Sequence, residues 1–220
     1  MNKLLVLAAM AGLVYLGYSH LFGTEGGAFD ADGEPSIVLF TFDACGSPCS
    51  DALQLLRIKQ VAFEHLNLSR GPEVEERLKA LGGGHQMPLL FAGTRRVESF
   101  HRQRFNEALA EVHGLSILDA RDRAVLKTHF NAEGTPRVVM YGASWCPHTR
   151  EAREYLQREG IAFKEWDVEQ DATGKGHYEV IKSAGYPLIY VGFRRFEGLD
   201  KSGIKQALES RQRALGSHQL

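Results

Sequence analysis

The stretch Val138-Val-Met-Tyr-Gly-Ala-Ser-Trp-Cys-Pro-His-Thr149 decides the fold. Val138–Tyr141 is a short apolar run suited to a buried strand, and Arg150–Glu159 has helical periodicity. Trp145–Thr149 therefore lies at the junction of a first strand and a first helix. A cysteine there has unpaired backbone N–H groups and the positive end of the helix dipole aimed at its sulfur, and both favour thiolate over thiol. Pro147 fits the first helical turn, where its missing N–H costs nothing. His148 adds polarity and, when protonated, a positive charge beside the thiolate, while Trp145 shields one side. Cys146 is the candidate nucleophile, and its alternative is a silent buried cysteine.

Working outward, the chain repeats itself. Ile37-Val-Leu-Phe40 matches Val138-Val-Met-Tyr141. Cys45 follows Phe40, and Cys146 follows Tyr141, by the same five residues. The helical stretches Asp51–Gln60 and Arg150–Glu159 match, as do the second strands beginning at Val61 and Ile161. Met87-Pro-Leu-Leu-Phe-Ala-Gly93 matches Tyr186-Pro-Leu-Ile-Tyr-Val-Gly192, and an Arg-Arg pair follows closely on each. A proline heading a central strand removes a ladder donor. Its recurrence as Pro88 and Pro187 predicts a special turn with a cis peptide. Each unit reads as β-α-β, a helical segment, a β-hairpin and a closing helix, around Arg102–Val112 and Lys201–Arg213. Between them Asp119–Phe130 is expected to form a short bridging helix. Gly23–Pro35, rich in glycine and acidic residues, is expected to be a flexible linker. Trp166 is read as packing.

These motifs resemble the glutaredoxin family of the thioredoxin superfamily, closely over Pro136–Leu220 and more weakly over Ser36–Val112. The resemblance implies an α/β fold of two tandem thioredoxin-fold domains, each a four-stranded mixed sheet with flanking helices. The degenerate first domain spans 36–112, a bridging segment 113–135, and the second domain 136–220. It implies Cys146 as nucleophile, Tyr186-Pro187 as the cis-proline loop, and Glu197-Gly198-Leu199-Asp200 as a remnant of the segment that holds glutathione. Trp145, Pro147, His148, Thr149, Gly198, Asp200, Met87 and Pro88 are then substrate-binding candidates, and glutathione a co-substrate. The Trp-Cys-Pro-His run is also similar to that of periplasmic disulfide oxidases. Two features depart from the family. Thr149 stands where a resolving cysteine would, so no disulfide closes within the motif. Gly142, Ala143 and Ser144 stand where the family places a lysine before its active cysteine.

In Asp43-Ala-Cys-Gly-Ser-Pro-Cys-Ser50 three residues separate the thiols. Cys45 matches Cys146 and Cys49 matches Thr149, so a one-residue insertion lies between them. A disulfide is geometrically reasonable here. Three readings stay open: a structural disulfide, a redox-active one, and a soft-metal site. The last would use Cys45, Cys49, His85 and Met87, ligands suited to Cu(I). Membrane-anchored copper-delivery proteins of thioredoxin fold are similar in that spacing. Plain packing is the other account of Met87.

The 220 residues carry 26 basic and 27 acidic side chains, a formal net charge of −1. No basic face for nucleic acid is implied. Leu4–Phe22 is apolar and free of Lys, Arg, Asp and Glu; as a helix it would span roughly 28 Å, close to the ~30 Å of a bilayer core. Lys3 precedes it, and Glu25, Asp30, Asp32 and Glu34 follow. This asymmetry predicts a single-pass anchor in a bacterial inner membrane, with residues beyond 23 in the periplasm. A cleaved signal peptide with secretion into the periplasm is the alternative. The expected partners are exported thiol proteins or glutathione mixed disulfides, besides the membrane. The expected activity is thiol–disulfide exchange; a copper(I) protein and a redox-silent binding module are the alternatives.

Overall fold

The computed structural model describes residues 26–217, with side chains up to residue 210. Leu4–Phe22, and with it the expected membrane span, lies outside the described residues. Among the described residues no helix is long and apolar enough to cross a membrane. The chain divides into two compact units, one ending at Phe100 and one beginning at His101.

In the first unit the strands are β1 (Ile37–Thr41), β2 (Glu64–Asn67), β3 (Leu89–Ala92) and β4 (Arg95–Glu98). Their order is β2-β1-β3-β4, with β1 parallel to β2 and the other pairs antiparallel. Composition explains the order. β1 and β3 are buried at every position and take the centre, whereas β2 and β4 carry charged side chains that an edge tolerates. The parallel pair needs a crossover, which α1 (Ser47–Ile58) supplies; α2 (Pro72–Ala80) follows β2.

The second unit repeats this arrangement. Its strands β5 (Val138–Gly142), β6 (Phe163–Asp167), β7 (Leu188–Val191) and β8 (Arg194–Glu197) order as β6-β5-β7-β8. The two tandem four-stranded mixed sheets are those the thioredoxin-fold resemblance implied. This unit also holds α3 (Arg102–His113), α4 (Ala120–Leu126), α5 (Pro147–Arg158), α6 (Ala172–Ile181) and α7 (Lys201–Ser217). Strand alternation splits its core in two. Val138 and Met140 face Ala152, Tyr155 and Leu156 of α5 with Ile204 and Ala207 of α7. Val139 and Tyr141 face Val125 and Leu126 of α4 with Val180 and Ile181 of α6. Leu156, and Leu56 at the matching place in α1, are fully buried. Truncating either to alanine should cost about 2–5 kcal/mol.

Two segments differ from the sequence reading. Residues 26–35 of the expected linker are an ordered turn that extends the repeat upstream. Phe29-Asp-Ala-Asp-Gly-Glu-Pro35 matches Phe130-Asn-Ala-Glu-Gly-Thr-Pro136, and each closes on an antiparallel bridge, Phe29 to Pro35 and Phe130 to Pro136. Asp30 Oδ1 accepts the N–H groups of Asp32 and Glu34, and Asn131 Oδ1 accepts that of Thr135 at 2.7 Å. Gly33 and Gly134 take the positive φ, +82° and +78°, that each turn requires. Asx-turn chemistry orders a stretch that composition alone marks as loose. The second difference is α3. The repeat counts it as the closing helix of a first domain ending at Val112, but the contacts divide the chain at Phe100. The reason lies in its polar face: Arg104 bonds Glu197, Glu107 bonds Tyr190, and Glu111 bonds Arg194, all on β7 and β8. The expected bridging helix is present as α4, capped by Asp119 through the N–H groups of Arg121 and Asp122.

Candidate active site

Cys146 is the N-cap of α5, with extended backbone (φ −74°, ψ 122°), and Pro147 opens the helix. The cysteine is 7% exposed, while Trp145 beside it is 65% exposed. Burial pushes the thiol up. The N–H and hydroxyl of Thr149 and the N–H of His148 outweigh that and hold its pKa below the ordinary cysteine value. His148 is exposed and acts on the sulfur through its main chain. Thr149 is fully buried, and its Oγ1 has no hydrogen-bond partner among the described residues. The sulfur above it is what that hydroxyl can serve, as a donor once the thiol ionises. Gly142 makes room for it: a Cβ there would stand 2.7 Å from Thr149 Oγ1. Thr149 thus replaces a second sulfur with a donor.

The Met87–Pro88 and Tyr186–Pro187 peptide bonds are both cis, as the repeat predicts. The carbonyl of Tyr186 lies 4.0 Å from Cys146 Sγ, so the loop at Pro187 faces the sulfur. The Pro187 carbonyl accepts the N–H of Gly198 at 2.8 Å, which ties the Glu197–Asp200 segment to the same loop. Within that segment Asp200 serves its own helix, accepting from Ser202 Oγ and Gly203 N of α7. Glu197 is bound by Arg104 and Arg195. Trp145, Cys146, Thr149, Tyr186, Pro187 and Gly198 are thereby brought together.

Sequence reasoning missed two carboxylates that hold the loop before this sulfur. Asp167, at the end of β6, accepts the N–H of Ser144 at 3.1 Å, and Glu169 Oε2 accepts Trp145 Nε1–H at 2.8 Å. Burial pushes Asp167 up, but the N–H groups of Glu169, Gln170 and Ser144 hold it below the usual carboxylate range. The repeat carried a signal for Asp167. Its counterpart Asn67, at the end of β2, donates to Asp43 Oδ1 and so ties down the loop before Cys45. The ring of Trp145 meets that of Tyr186 edge-on at 6.4 Å, and Tyr186 lies 5.2 Å from Tyr178. Trp166 packs against the core of the second unit.

In the first unit Cys45 and Cys49 form a disulfide, with Cα atoms 5.7 Å apart. Cys45 ends a short 3-10 turn, and Cys49, 6% exposed, sits in the first turn of α1. Met87 packs against the core with Leu66 and Leu68, and Pro88 is buried. His85 is exposed, and its N–H reaches Glu98. Among the described residues no three His, Cys, Asp or Glu side chains gather to hold a metal ion, and the two sulfurs are bonded to each other. The copper reading of Cys45, Cys49, His85 and Met87 gains no support, because the two thiolates it needs are paired with each other.

The glutaredoxin family model matches residues 37–97 and 138–195, one stretch in each unit and together more than half the chain. The chain belongs to the glutaredoxin family. A glutaredoxin of Pseudomonas aeruginosa is 34% identical over 68 residues, covering 30% of this chain and 79% of that protein. A glutaredoxin structure from Archaeoglobus fulgidus is 27% identical, covers 34% of this chain and 89% of its own, and superposes with a TM-score of 0.30. The first two thioredoxin domains of Eps1p from Naumovozyma dairenensis are 10% identical, cover 86% of this chain and 97% of their own, with a TM-score of 0.24. Family membership agrees with the two sheets, the two cis-proline loops and the cysteine at each first-helix start.

Proposed function

We propose that this chain is a thiol–disulfide oxidoreductase working outside the cytoplasm, tethered by Leu4–Phe22, on exported thiol proteins or on mixed disulfides of glutathione. The two sequence repeats, 36–112 and 136–220, each supply one cysteine-bearing helix start and one four-stranded sheet. The observation that carries the reading is the Cys146 sulfur, held toward thiolate by the first turn of α5 and faced by the cis-proline loop. In the reaction the Cys146 thiolate attacks one sulfur of a disulfide R–S–S–R′. A Cys146–S–S–R bond forms, the S–S bond of the substrate breaks, and R′–S⁻ leaves with the electron pair. Thr149 offers no second sulfur, so an external thiol attacks the mixed disulfide and frees Cys146, and the Cys45/Cys49 pair is a second candidate redox disulfide.

The experiment is turnover of a small mixed disulfide by the full chain, by Cys146→Ser, and by Cys45→Ser with Cys49→Ser. Cys146→Ser should abolish exchange. The double variant should keep turnover when an external thiol is supplied. Full turnover in Cys146→Ser would remove Cys146 from the mechanism. Location is tested by a reporter, active only in the cytoplasm, fused after Leu220; activity there would refute the proposed orientation.

A further inference from the structure

The surroundings of Cys146 carry a charge pattern with consequences for its substrate. The four residues before Cys146, which are Gly142, Ala143, Ser144 and Trp145, are uncharged. The side chains that hold this loop are carboxylates: Asp167 on Ser144 N and Glu169 on the Trp145 indole. Burial foremost, and then Tyr178, Glu169, Asp167 and Cys146, push the Tyr186 phenol up. His148 and Arg150, the basic residues nearest in sequence, stand on α5, and Lys164 of β6 lies over the Trp166 ring at 4.3 Å. Asp200, in the segment that resembles a glutathione clamp, is engaged in capping α7.

The same rim is aromatic. The 65% exposed Trp145 is fixed by its bond to Glu169, and its ring continues through Tyr186 to Tyr178. An exposed indole pinned by a carboxylate offers an apolar face and a negative edge together. Such a surface attracts basic side chains by charge and by cation–π contact, and it accepts apolar ones. Glutathione, with two carboxylates and one ammonium group, brings the wrong sign.

We propose that Cys146 takes polypeptide disulfides whose cysteine is flanked by basic and apolar side chains, in preference to disulfides of glutathione, with Glu169 and Trp145 setting that preference. This rests on Cys146 being the exchanging thiol. The exchange is unchanged in its balance: Cys146–S–S–peptide forms as the leaving thiolate departs.

The test uses the full chain carrying Cys45→Ser and Cys49→Ser, so that Cys146 is the one thiol, and three pyridyl disulfides with the same uncharged leaving group. One is on a cysteine peptide flanked by lysine and leucine, one on its glutamate counterpart, and one on glutathione. Release of thiopyridone gives the rate. At low ionic strength the lysine probe should react about ten-fold faster than the other two, the size of an electrostatic rate effect at a charged rim. The ratio should shrink as salt screens the site. Glu169→Gln keeps an acceptor for the indole and removes the charge, and should lower the ratio by slowing the lysine probe. Equal rates for the three probes, or a preference for glutathione, would overturn the proposal while leaving Cys146 as the exchanging thiol. Reaction of all three no faster than with free cysteine would sink the parent reading, and the proposal with it.

Discussion

Tyr190 of β7 donates its phenol hydrogen to the buried carboxylate of Glu107 on α3 at 2.6 Å. The same carboxylate receives Arg195 of β8 at 3.3 Å, in a site where the arginine side chain is 3% exposed and the glutamate 0%. Arg195 also donates to the carbonyls of Ile181 and Lys182. Three polar side chains thus satisfy one another inside the protein and join α3 to the sheet of the second unit. Removing the Glu107 carboxylate takes the buried acceptor from Arg195 and Tyr190 and leaves Arg195 with Glu197 at the surface. Glu107→Ala should therefore destabilise the second unit by about 3–5 kcal/mol. Tyr190→Phe, which removes one hydrogen bond, should cost about 1–3 kcal/mol. Both tryptophans lie in this unit, so urea unfolding followed by tryptophan fluorescence reports it. A loss below about 1 kcal/mol in Glu107→Ala would show that the carboxylate is not holding Arg195.

The Thr149 hydroxyl gives a second prediction. A donor to the sulfur stabilises the thiolate and not the thiol, so removing it raises the pKa. The alkylation rate of Cys146 against pH should show a midpoint below the unperturbed ~8.5. Thr149→Val keeps the shape and the backbone N–H but loses the hydroxyl, and should move the midpoint upward. Thr149→Ser should hold it near wild type. A wild-type midpoint at or above the free-cysteine value would favour a silent thiol.

His129 makes the second unit acid-sensitive. It is fully buried, with Nδ1 3.2 Å from the Gly192 carbonyl and Nε2 2.9 Å from the Tyr141 hydroxyl. Burial lowers its pKa to about 3, with the charges of His177 and Arg137 adding to the effect and the Gly192 carbonyl opposing it. Unfolded, the imidazole returns to ~6.5. Between those values the unfolded state binds more protons, so stability rises with pH there and is lost as pH falls from about 6.5 toward 3. The slope from this one group reaches at most about 1.4 kcal/mol per pH unit. His129→Gln should be less stable at pH near 7 but should lose less on acidification to about 5. Parallel losses in the two proteins would assign the acid sensitivity to other groups.

What could be read in the sequence was what is local or repeated. The apolar runs at Ile37 and Val138 fix central strands because only a buried strand accommodates them. Cys146-Pro147 fixes a helix start because proline belongs in a first turn. The recurrence of Pro88 and Pro187 marked both cis bonds. The repeat also held signals that composition hid, since Asp30 and Asn131 set the same turn 101 residues apart in a stretch that looks like linker.

The side of the chain to which α3 belongs was not legible, because helical periodicity says that a face is buried and not against which sheet. Arg104, Glu107 and Glu111 find their partners about 83–93 residues away. The carboxylates that hold the loop before Cys146 were hidden for the same reason: Glu169 meets Trp145 across 24 residues of sequence, through the pairing of β5 with β6. The sequence alone determined two strand–cysteine–helix units, because the elements that make them are set by neighbours a few residues apart. The tertiary structure decided the charge and the donors around Cys146, because the side chains that supply them come from different elements and meet only when the sheet forms.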